Sequence, residues 1–311
     1  MKIKASAITA AALAVMSAQA ETVGYNTVAV LANSDTVISA PFNPDVKETF
    51  TVSAVVSGGI TVNESLAADT YDSGYFVRFT SGGAEGLWST ISANGNGGFE
   101  LANTNVLANV GVDDAVEVFA HNTVASLFPA SMKDESWDSQ TQLLLVDNDT
   151  VSTMKPQEAI SYRSTGSQGA GWYKGPTYKG NVVITPGEYV VVRNQSANEY
   201  VFVAYGDVPA SKVGQILPAG QTDVYVAGFP VPVTVSELGL EGEYQILLID
   251  NDSTGYMKPQ EALSYRTTGS NGAGWYKGPT YRGDSVIAAG TGFILRRASD
   301  SIDSEWAEKP Y

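Results

Sequence analysis

Two stretches of this chain are near copies of each other. Residues 142–180 and 245–283 align without a gap at a constant offset of 103, and 29 of the 39 paired residues are identical. A repeat of this length predicts two copies of one structural unit, because each copy carries the same pattern of apolar and turn residues. A fold built from two related units therefore constrains every other interpretation of the sequence.

The two copies differ because the first one carries an extra segment. Weaker similarity continues on both sides of the near-identical stretch, so the units are longer than the stretch itself. The sequence predicts a signal peptide at 1–20, a first unit made of 21–48 and 121–208, an inserted small β-barrel at 49–120, and a second unit at 209–311.

Most apolar runs have the character of β-strands. They are short, rich in β-branched and aromatic residues, and bounded by Gly, Pro, Asn or Asp. In the insert, three Gly-rich turns separate alternating runs, which predicts a meander that closes on itself. The best helical candidates, residues 156–162 and 259–265, would form about two turns each. We therefore expect an all-β protein with two tandem β-sandwich-like units, the first carrying an inserted small β-barrel.

The first twenty residues have the pattern of a secretory signal peptide. Lys2 and Lys4 precede an apolar run, and Ala18-Gln19-Ala20 forms an Ala-x-Ala cleavage site. Cleavage after Ala20 would leave 16 basic and 33 acidic residues and a formal charge of −17. No later apolar stretch approaches the roughly 20 residues of a membrane helix. The sequence predicts export to the periplasm, the cell surface or the extracellular space, without membrane insertion.

The residue counts exclude several kinds of chemistry. The chain has no cysteine and a single histidine, His121, and its formal net charge is −15. Thiol catalysis, Cys-ligated zinc and disulfides are excluded, and a negative protein repels the phosphates of nucleic acids. His121 follows the last strand of the insert, where a boundary role is expected. Nucleic acid is not an expected partner.

An aromatic motif, GAGWYKGPTY[KR]G, occurs once in each copy. Its flat rings could stack on sugars as binding platforms, or they could fill the core while Gly and Pro build a tight turn. The sequence leaves both interpretations open. The six rings concerned are Trp172, Tyr173, Tyr178, Trp275, Tyr276 and Tyr281.

An acidic loop follows a predicted strand in each copy. In the second copy it fits the twelve-residue calcium-loop template, with oxygen ligands at positions 1, 3 and 5, glycine at 6 and glutamate at 12. In the first copy Val151 and Ser152 occupy positions 5 and 6, so weaker binding is expected there. Asx-rich turns also occur for structural reasons alone. Calcium is the only candidate cofactor, and its candidate ligands are Asp250, Asp252, Thr254, Tyr256 and Glu261.

No residue set marks the chain as an enzyme. Glu158 and Glu261 would suit glycoside hydrolysis, which needs two carboxylic acids in different roles. They occupy equivalent positions in the two copies, however, and equivalent groups fit binding better than an acid and base pair. We expect no catalytic activity.

Several short motifs resemble those of a known protein family. They are VGYNTVAV, DTVISAPF, YFVRFTSGGAEGLWSTI, LFPA at 127–130, LLLVDN, SYR, WYK and the terminal segment 306–311. In this order they resemble an uncharacterised family of secreted, signal-peptide-bearing, β-rich bacterial proteins that occur as paralogues. The resemblance implies that the duplicated layout is a design of the family, and it brings no activity, ligand or site residue with it. The Gly-rich aromatic motif departs from the shorter hairpin expected there.

The sequence thus favours a secreted, non-catalytic structural or interaction protein of the cell surface or extracellular space, with self-assembly as one form of that role. Its expected partners are other copies of itself, or proteins and glycans at a cell surface. The alternative is a glycan-binding protein that uses the two repeated Trp-Tyr-Tyr segments, with calcium ordering the Asp250 loop.

Overall fold

The computed structural model describes residues 23–308 except 96, 133–134, 149, 154–156, 218, 221, 243, 259 and 298–303. The predicted signal peptide lies outside the described residues. The described chain is all-β, as predicted, with one single-turn helix, α1 (Val124–Leu127), and two 3₁₀ segments, Thr104–Asn109 and Val235–Leu238. No helix of the described residues is long and apolar enough to cross a membrane.

The strands of the first unit lie on both sides of the barrel in the sequence. Before the barrel come β1 (Val23–Val30) and β2 (Ser34–Ser39). The barrel consists of β3 (Val46–Val56), β4 (Gly59–Val62), β5 (Tyr75–Phe79), β6 (Trp88–Gly95), β7 (Gly98–Leu101) and β8 (Ala115–Ala120). The first unit resumes with β9 (Asn122–Thr123), β10 (Ser131–Met132), β11 (Glu135–Ser136), β12 (Thr141–Val146), β13 (Gln157–Arg163), β14 (Gly171–Lys174), β15 (Thr177–Tyr178), β16 (Val183–Ile184), β17 (Tyr189–Asn194) and β18 (Tyr200–Asp207).

The second unit follows without an insert. Its strands are β19 (Val213–Leu217), β20 (Asp223–Ala227), β21 (Val233–Thr234), β22 (Tyr244–Ile249), β23 (Gln260–Arg266), β24 (Gly274–Lys277), β25 (Thr280–Tyr281), β26 (Val286–Ile287), β27 (Gly292–Arg297) and β28 (Ser304–Glu308).

Each unit is built as a sandwich of unequal layers. The large layer is a six-stranded antiparallel sheet, in the order β15-β14-β13-β12-β17-β2 in the first unit and β25-β24-β23-β22-β27-β20 in the second. The small layer is a two-stranded ribbon that pairs the unit's first strand with its last, β1 with β18 and β19 with β28. Because strand residues alternate between faces, one face of each layer lines an apolar core between them.

The insert is a closed six-stranded barrel in the order β3-β4-β7-β6-β5-β8. The predicted hairpins are present, and β8 closes the barrel by pairing with both β3 and β5. Its interior is filled by side chains, among them Phe50, Phe79 and Phe99, which are almost completely buried. Closure leaves no open strand edge in a segment too small to protect one otherwise.

The two helical candidates are strands, which corrects the sequence prediction. Residues 157–163 form β13 and residues 260–266 form β23, each paired on both sides within its sheet. In β13, Ile160 and Tyr162 are both buried in the core of the first unit, which fits the period of two of a strand. Tertiary pairing therefore overrides a weak local helical preference.

The two units face each other through the outer faces of their large sheets. A fourth apolar cluster fills this contact. Its members come from equivalent positions of the two sheets, such as Leu144 with Leu247 and Val191 with Ile294. The units are thus related as in a dimer with twofold symmetry, in which the same patch of each partner meets the other.

The contact between the units departs from symmetry around Tyr189 and Tyr225. Tyr189 of the first unit packs against Tyr225 of the second, with ring centroids 5.2 Å apart. The equivalent of Tyr189 in the second unit is Gly292, where an added Cβ would lie 2.5 Å from Tyr189 Cδ1. The glycine therefore makes the space that the tyrosine fills.

Candidate interaction surfaces

The two tryptophans of the aromatic motif belong to the core of their units. Trp172 and Trp275 are 1% and 2% exposed. The indole N–H of Trp172 donates to the Phe128 carbonyl at 2.7 Å, and its ring contacts Trp137 and Tyr162 edge to face. A buried indole with a satisfied N–H is a stable core element and has no face free for a sugar ring.

Glycines in and just before the motif lie against its first tyrosine. The hydroxyl of Tyr173 donates to the Gly169 carbonyl at 2.9 Å and accepts from the backbone of Gln168, and Tyr276 makes the equivalent two bonds. A Cβ added at Gly166 would lie 2.3 Å from Tyr173 Cζ. The Gly-rich segment is therefore required for the close approach of the loop to the ring.

The last tyrosines of the motif pack on the first. Tyr178 and Tyr281 are half-buried, with their rings edge to face at 5.4 Å and 5.5 Å from Tyr173 and Tyr276. Four of the six motif rings are thus buried, and the remaining two are engaged with them. The structure gives no support to the interpretation of these rings as exposed sugar platforms.

The acidic loop of the second unit caps the open edge of the first unit's large sheet. Asn251 Oδ1 accepts from the N–H of Val37 at 2.9 Å, and Asn251 Nδ2 donates to the Val37 carbonyl at 2.8 Å. The Gly255 carbonyl accepts from the N–H of Asp35 at 2.9 Å. The side-chain amide imitates the peptide group of a neighbouring strand, so the edge strand β2 keeps its hydrogen bonds.

The first unit's acidic loop does the same for the second unit. Asn148 bonds both backbone groups of Tyr225 at 3.1 Å, and the Ser152 carbonyl accepts from the N–H of Asp223 at 3.0 Å. Asn148 and Asn251 are 103 residues apart, as the repeat requires. The conspicuous Asp-Asn-Asp motif therefore has a structural function: each copy closes the sheet edge of the other.

The five candidate calcium ligands are not gathered into a metal site. Glu261 forms ion pairs with Lys277 and Arg282, while Thr254 is exposed and the hydroxyl of Tyr256 points to the Asn194 carbonyl. Within the part of the chain that the structure describes, no group of three or more His, Asp or Glu side chains could hold a metal ion. In the first copy, Asp149 lies outside the described residues.

A lysine provides positive charge within the second loop. Lys258 is buried, and its ammonium donates to the Asn251 carbonyl at 3.2 Å. Burial lowers the pKa of Lys258, and the nearby carboxylates of Asp250 and Asp252 act in the opposite direction. The two carboxylates of the calcium template thus have an ammonium group beside them as their counterion.

The two glutamates considered for catalysis have equivalent structural roles. Glu158 pairs with Lys179 and Lys174 at 2.9 Å and 3.1 Å, and these ion pairs lower its pKa. Glu261 has the same pair of cationic neighbours in the second unit, at 3.3 Å and 3.4 Å. The two glutamates thus have equivalent cationic neighbours, whereas glycoside hydrolysis requires one carboxyl group to act as an acid and the other as a base or nucleophile.

The outer face of the first ribbon is exposed and mostly apolar, and the sequence did not predict it. Its outward positions in β1 and β18 are occupied by Val23, Tyr25, Thr27, Ala29, Val201, Val203 and Tyr205, all exposed, and by the half-buried Asp207 opposite Val23. Tyr25 and Tyr205 are 74% and 79% exposed and lie opposite each other. The outer face of a sandwich usually alternates to polar residues, so an apolar outer face indicates an interaction surface.

The equivalent ribbon of the second unit is already covered. Ile216 of β19 and Ala307 of β28 pack against the core residues of the inserted barrel. The backbone N–H of Lys212, just before β19, also donates to Glu85 of the barrel. The same structural face is therefore covered by β-structure in one unit and exposed in the other.

A cleft and a groove lie near the two ribbons. A cleft of about 70 Å³ lies where the two units and the barrel meet, between Trp88 and Trp306, and is too small for a sugar ring. A groove of about 490 Å³ lies beside the exposed ribbon, between Ala29 of β1 and Val286 and Ala288 of the second unit. The groove and the exposed ribbon are thus continuous.

The chain matches no protein-family model, no curated protein and no solved structure. Its function must therefore be inferred from its own surfaces, and the resemblance to the secreted bacterial family stays a prediction.

We predict that Asn251→Ala lowers the free energy of unfolding by about 2 kcal/mol, because two backbone groups of Val37 lose their partner. Asn148→Ala should have a similar effect on the equivalent edge. Asp252→Ala is the control, since it leaves both bonds of Asn251 intact. Urea denaturation measures all three variants.

Calcium binding has a separate test, which compares the melting temperature in excess calcium with that in EDTA. If calcium raises the melting temperature of wild type but not of Asp252→Ala, the loop binds the metal.

The single histidine lies at the end of the barrel and should make stability depend on pH. His121 is buried beside Phe76 and Trp88, its Nε2 lies 3.0 Å from Thr90 Oγ1, and burial lowers its pKa to about 4. Below pH ~6.5 the unfolded chain binds a proton at His121 that the folded chain does not, so folded stability falls as the pH drops from about 6.5 to about 4.

We therefore predict that wild type loses about 2 kcal/mol more stability between pH 7 and pH 4.5 than His121→Gln does, because the amide cannot titrate. Urea denaturation of both proteins at the two pH values measures the difference, and the carboxylates common to both cancel. Equal losses in the two proteins would contradict a buried neutral histidine.

Proposed function

We propose that this chain is an exported, non-catalytic structural protein that acts by binding other protein surfaces, with self-assembly included in that role. Its place of action is the periplasm, the cell surface or the extracellular space. The single observation that carries the proposal is the exposed, mostly apolar outer face of the β1–β18 ribbon.

The motifs that suggested chemistry have structural explanations. The aromatic motif fills the cores, the Asn residues of the acidic loops cap sheet edges, and the repeated glutamates are paired with lysine or arginine. Because these residues stabilise the fold, they leave the exposed ribbon as the candidate binding surface. This distribution supports a binding or structural role over catalysis.

The ribbon face has the properties of a protein contact. Seven outward side chains, between the acidic residues Glu199 and Asp207, carry no charge in a chain with 33 acidic and 18 basic residues. Exposed tyrosines provide large contact area and a hydroxyl at low entropic cost, which is typical of interface hot spots. The glycan-binding alternative has less support, because its platforms are buried.

We predict that the protein recovered outside the cytoplasm begins at Glu21. Edman degradation or mass spectrometry of its N-terminal peptide measures this, since the signal peptide would be removed after Ala20. Ala20→Lys should block processing and leave the precursor in the membrane or cytoplasmic fraction. A wild-type protein that keeps Met1 and stays in the cytoplasm would refute the proposed export.

We predict that Tyr25→Glu combined with Tyr205→Glu releases the protein from the surface or matrix fraction of the cells that produce it. The soluble share should rise about tenfold, because two hot-spot side chains are lost and two charges must be desolvated. Val112→Glu, at an exposed position of the barrel, is the matched control. An unchanged distribution of the double variant, with an unchanged melting temperature, would refute the ribbon as the binding surface.

A further inference from the structure

A second, wider cleft lies beside the inserted barrel, and we call it the barrel cleft. Its volume is about 620 Å³, within the range of about 300 to 1,000 Å³ that is typical of small-molecule sites. It adjoins the narrow cleft between Trp88 and Trp306, with which it shares Trp88, Glu188 and Gln215. Unlike the narrow cleft, it has room for a short oligosaccharide.

All three parts of the fold line the barrel cleft. The barrel contributes Trp88 of β6, together with Asn103 and Asn105 from around the start of its 3₁₀ segment. The first unit contributes Glu188, and the second unit contributes Gln215 of β19. Ligand sites occur preferentially where domains meet. The barrel cleft therefore depends on where the insert lies against the two units.

The repeat provides an internal comparison for this cleft. Asp147 and Val183 line the barrel cleft, and their equivalents Asp250 and Val286 line the groove of about 490 Å³ beside the first ribbon. Among the described residues, none from the barrel lines that groove. The insert thus encloses one of two equivalent grooves and leaves the other without a barrel wall.

The two equivalent grooves differ in polarity. Thr185 and Glu188 line the barrel cleft, whereas Ala288 and Thr291 occupy the corresponding positions of the groove. The backbone turn is the same in both, because the N–H of Glu188 donates to the Thr185 carbonyl at 3.3 Å and that of Thr291 donates to the Ala288 carbonyl at 3.3 Å. The turn therefore does not require the more polar pair, which occurs where the barrel encloses the groove.

Trp88 provides the cleft with an aromatic ring. The other four tryptophans of the chain are buried, whereas Trp88 is partly exposed. Its ring lies edge to face against Phe76 and His121, with centroids 5.9 Å and 6.1 Å away. A ring that is fixed by its neighbours and lines a cleft can pack against the C–H face of a sugar.

The polar side chains of the cleft suit hydroxyl groups. The amides of Asn103, Asn105 and Gln215 carry both donors and acceptors, and the carboxylate of Glu188 is an acceptor. Gln215 Nε2 donates to the Gly187 carbonyl at 2.6 Å, and Asn103 Oδ1 accepts from the N–H of Asn105 at 3.1 Å. Side chains that are already held in place lose less conformational freedom when a ligand binds.

The charges of the cleft favour a neutral ligand. Asp147 and Glu188 line it, and within the described part of the chain no lysine or arginine does. A phosphate or an acidic sugar would be repelled by these carboxylates. An apolar ligand would leave the amides of the cleft without hydrogen-bond partners. A neutral molecule with many hydroxyl groups avoids both costs.

We infer that the barrel cleft binds a neutral oligosaccharide, with Trp88 against a ring face and with Glu188 and Gln215 bonded to its hydroxyl groups. None of the six rings of the aromatic motif lines the cleft, so the site is distinct from the sugar platforms that the sequence suggested. Among the described residues, none from the β1–β18 ribbon lines it either. The inference therefore goes beyond the proposed function and is independent of it.

Isothermal titration calorimetry of the purified protein with maltotriose, cellotriose, chitotriose and mannotriose tests the inference. At least one of these neutral sugars should bind with a dissociation constant of about 1 mM or lower. The same sugar should protect Trp88 from fluorescence quenching by acrylamide. Trigalacturonic acid, which carries carboxylates, should bind at least about tenfold more weakly than that sugar because of Asp147 and Glu188.

The repeat supplies a matched pair of variants. Thr185→Ala with Glu188→Thr gives the barrel cleft the residues of the equivalent groove, and it should weaken sugar binding at least about tenfold because hydroxyl groups lose their partners. Ala288→Thr with Thr291→Glu makes the reciprocal change in the groove and should leave the affinity unchanged. Each pair of residues already occurs at this turn in one unit, and a circular dichroism melt checks that both variants are folded.

A third variant tests the aromatic contact. Trp88→Phe keeps an aromatic ring beside Phe76 and His121 but removes the larger indole face, so sugar binding should weaken and the protection from acrylamide should disappear. The melting temperature of this variant checks that the barrel is still folded.

The absence of binding by all four neutral sugars up to about 10 mM would overturn the inference. Binding that neither Trp88→Phe nor the Thr185 and Glu188 variant weakens would also overturn it. If the diamine putrescine binds and the sugars do not, the carboxylates select a cation and the inference falls. None of these outcomes affects the proposed function, which the release of the Tyr25 and Tyr205 variant from cells tests separately.

Discussion

The arrangement of this protein depends on how two sheet edges are closed. Strands β2 and β20 each end a six-stranded sheet and would expose a row of backbone donors and acceptors. In each case an asparagine from the opposite unit supplies both a carbonyl and an amide to one residue of the edge strand. Because each unit closes the edge of the other, neither sheet is complete without its partner, and the apolar contact between them is fixed in register.

Much of the architecture could be predicted because local sequence patterns indicate it. The offset of 103 predicted two related units, and Gly-rich turns between alternating runs predicted the meander of the barrel. The helical interpretation of residues 156–162 was wrong, because β13 has the alternation of a strand, with Ile160 and Tyr162 buried and Ala159 and Arg163 exposed. Local sequence carries no information about the neighbours that decide such a case.

The candidate sites could not be predicted for a related reason. A loop such as Asp250-Asn251-Asp252 offers the same oxygen atoms to calcium and to a strand edge, and only the position of Val37 in the opposite unit decides between them. The ribbon surface left a readable signal, since the alternate residues of VGYNTVAV that should be polar are largely apolar. That signal is ambiguous in sequence, because a strand buried on both faces has the same composition.

The asymmetric pair Tyr189 and Gly292 has a consequence for molecules present together at high concentration. When like units pair, the first unit of one chain packs on the first unit of another. Two Tyr189 side chains would then compete for the space that Gly292 leaves open, while two second units would leave that space empty. The divergence of Tyr189 and Gly292 therefore favours the pairing of a first unit with a second unit and opposes the pairing of like units from different chains.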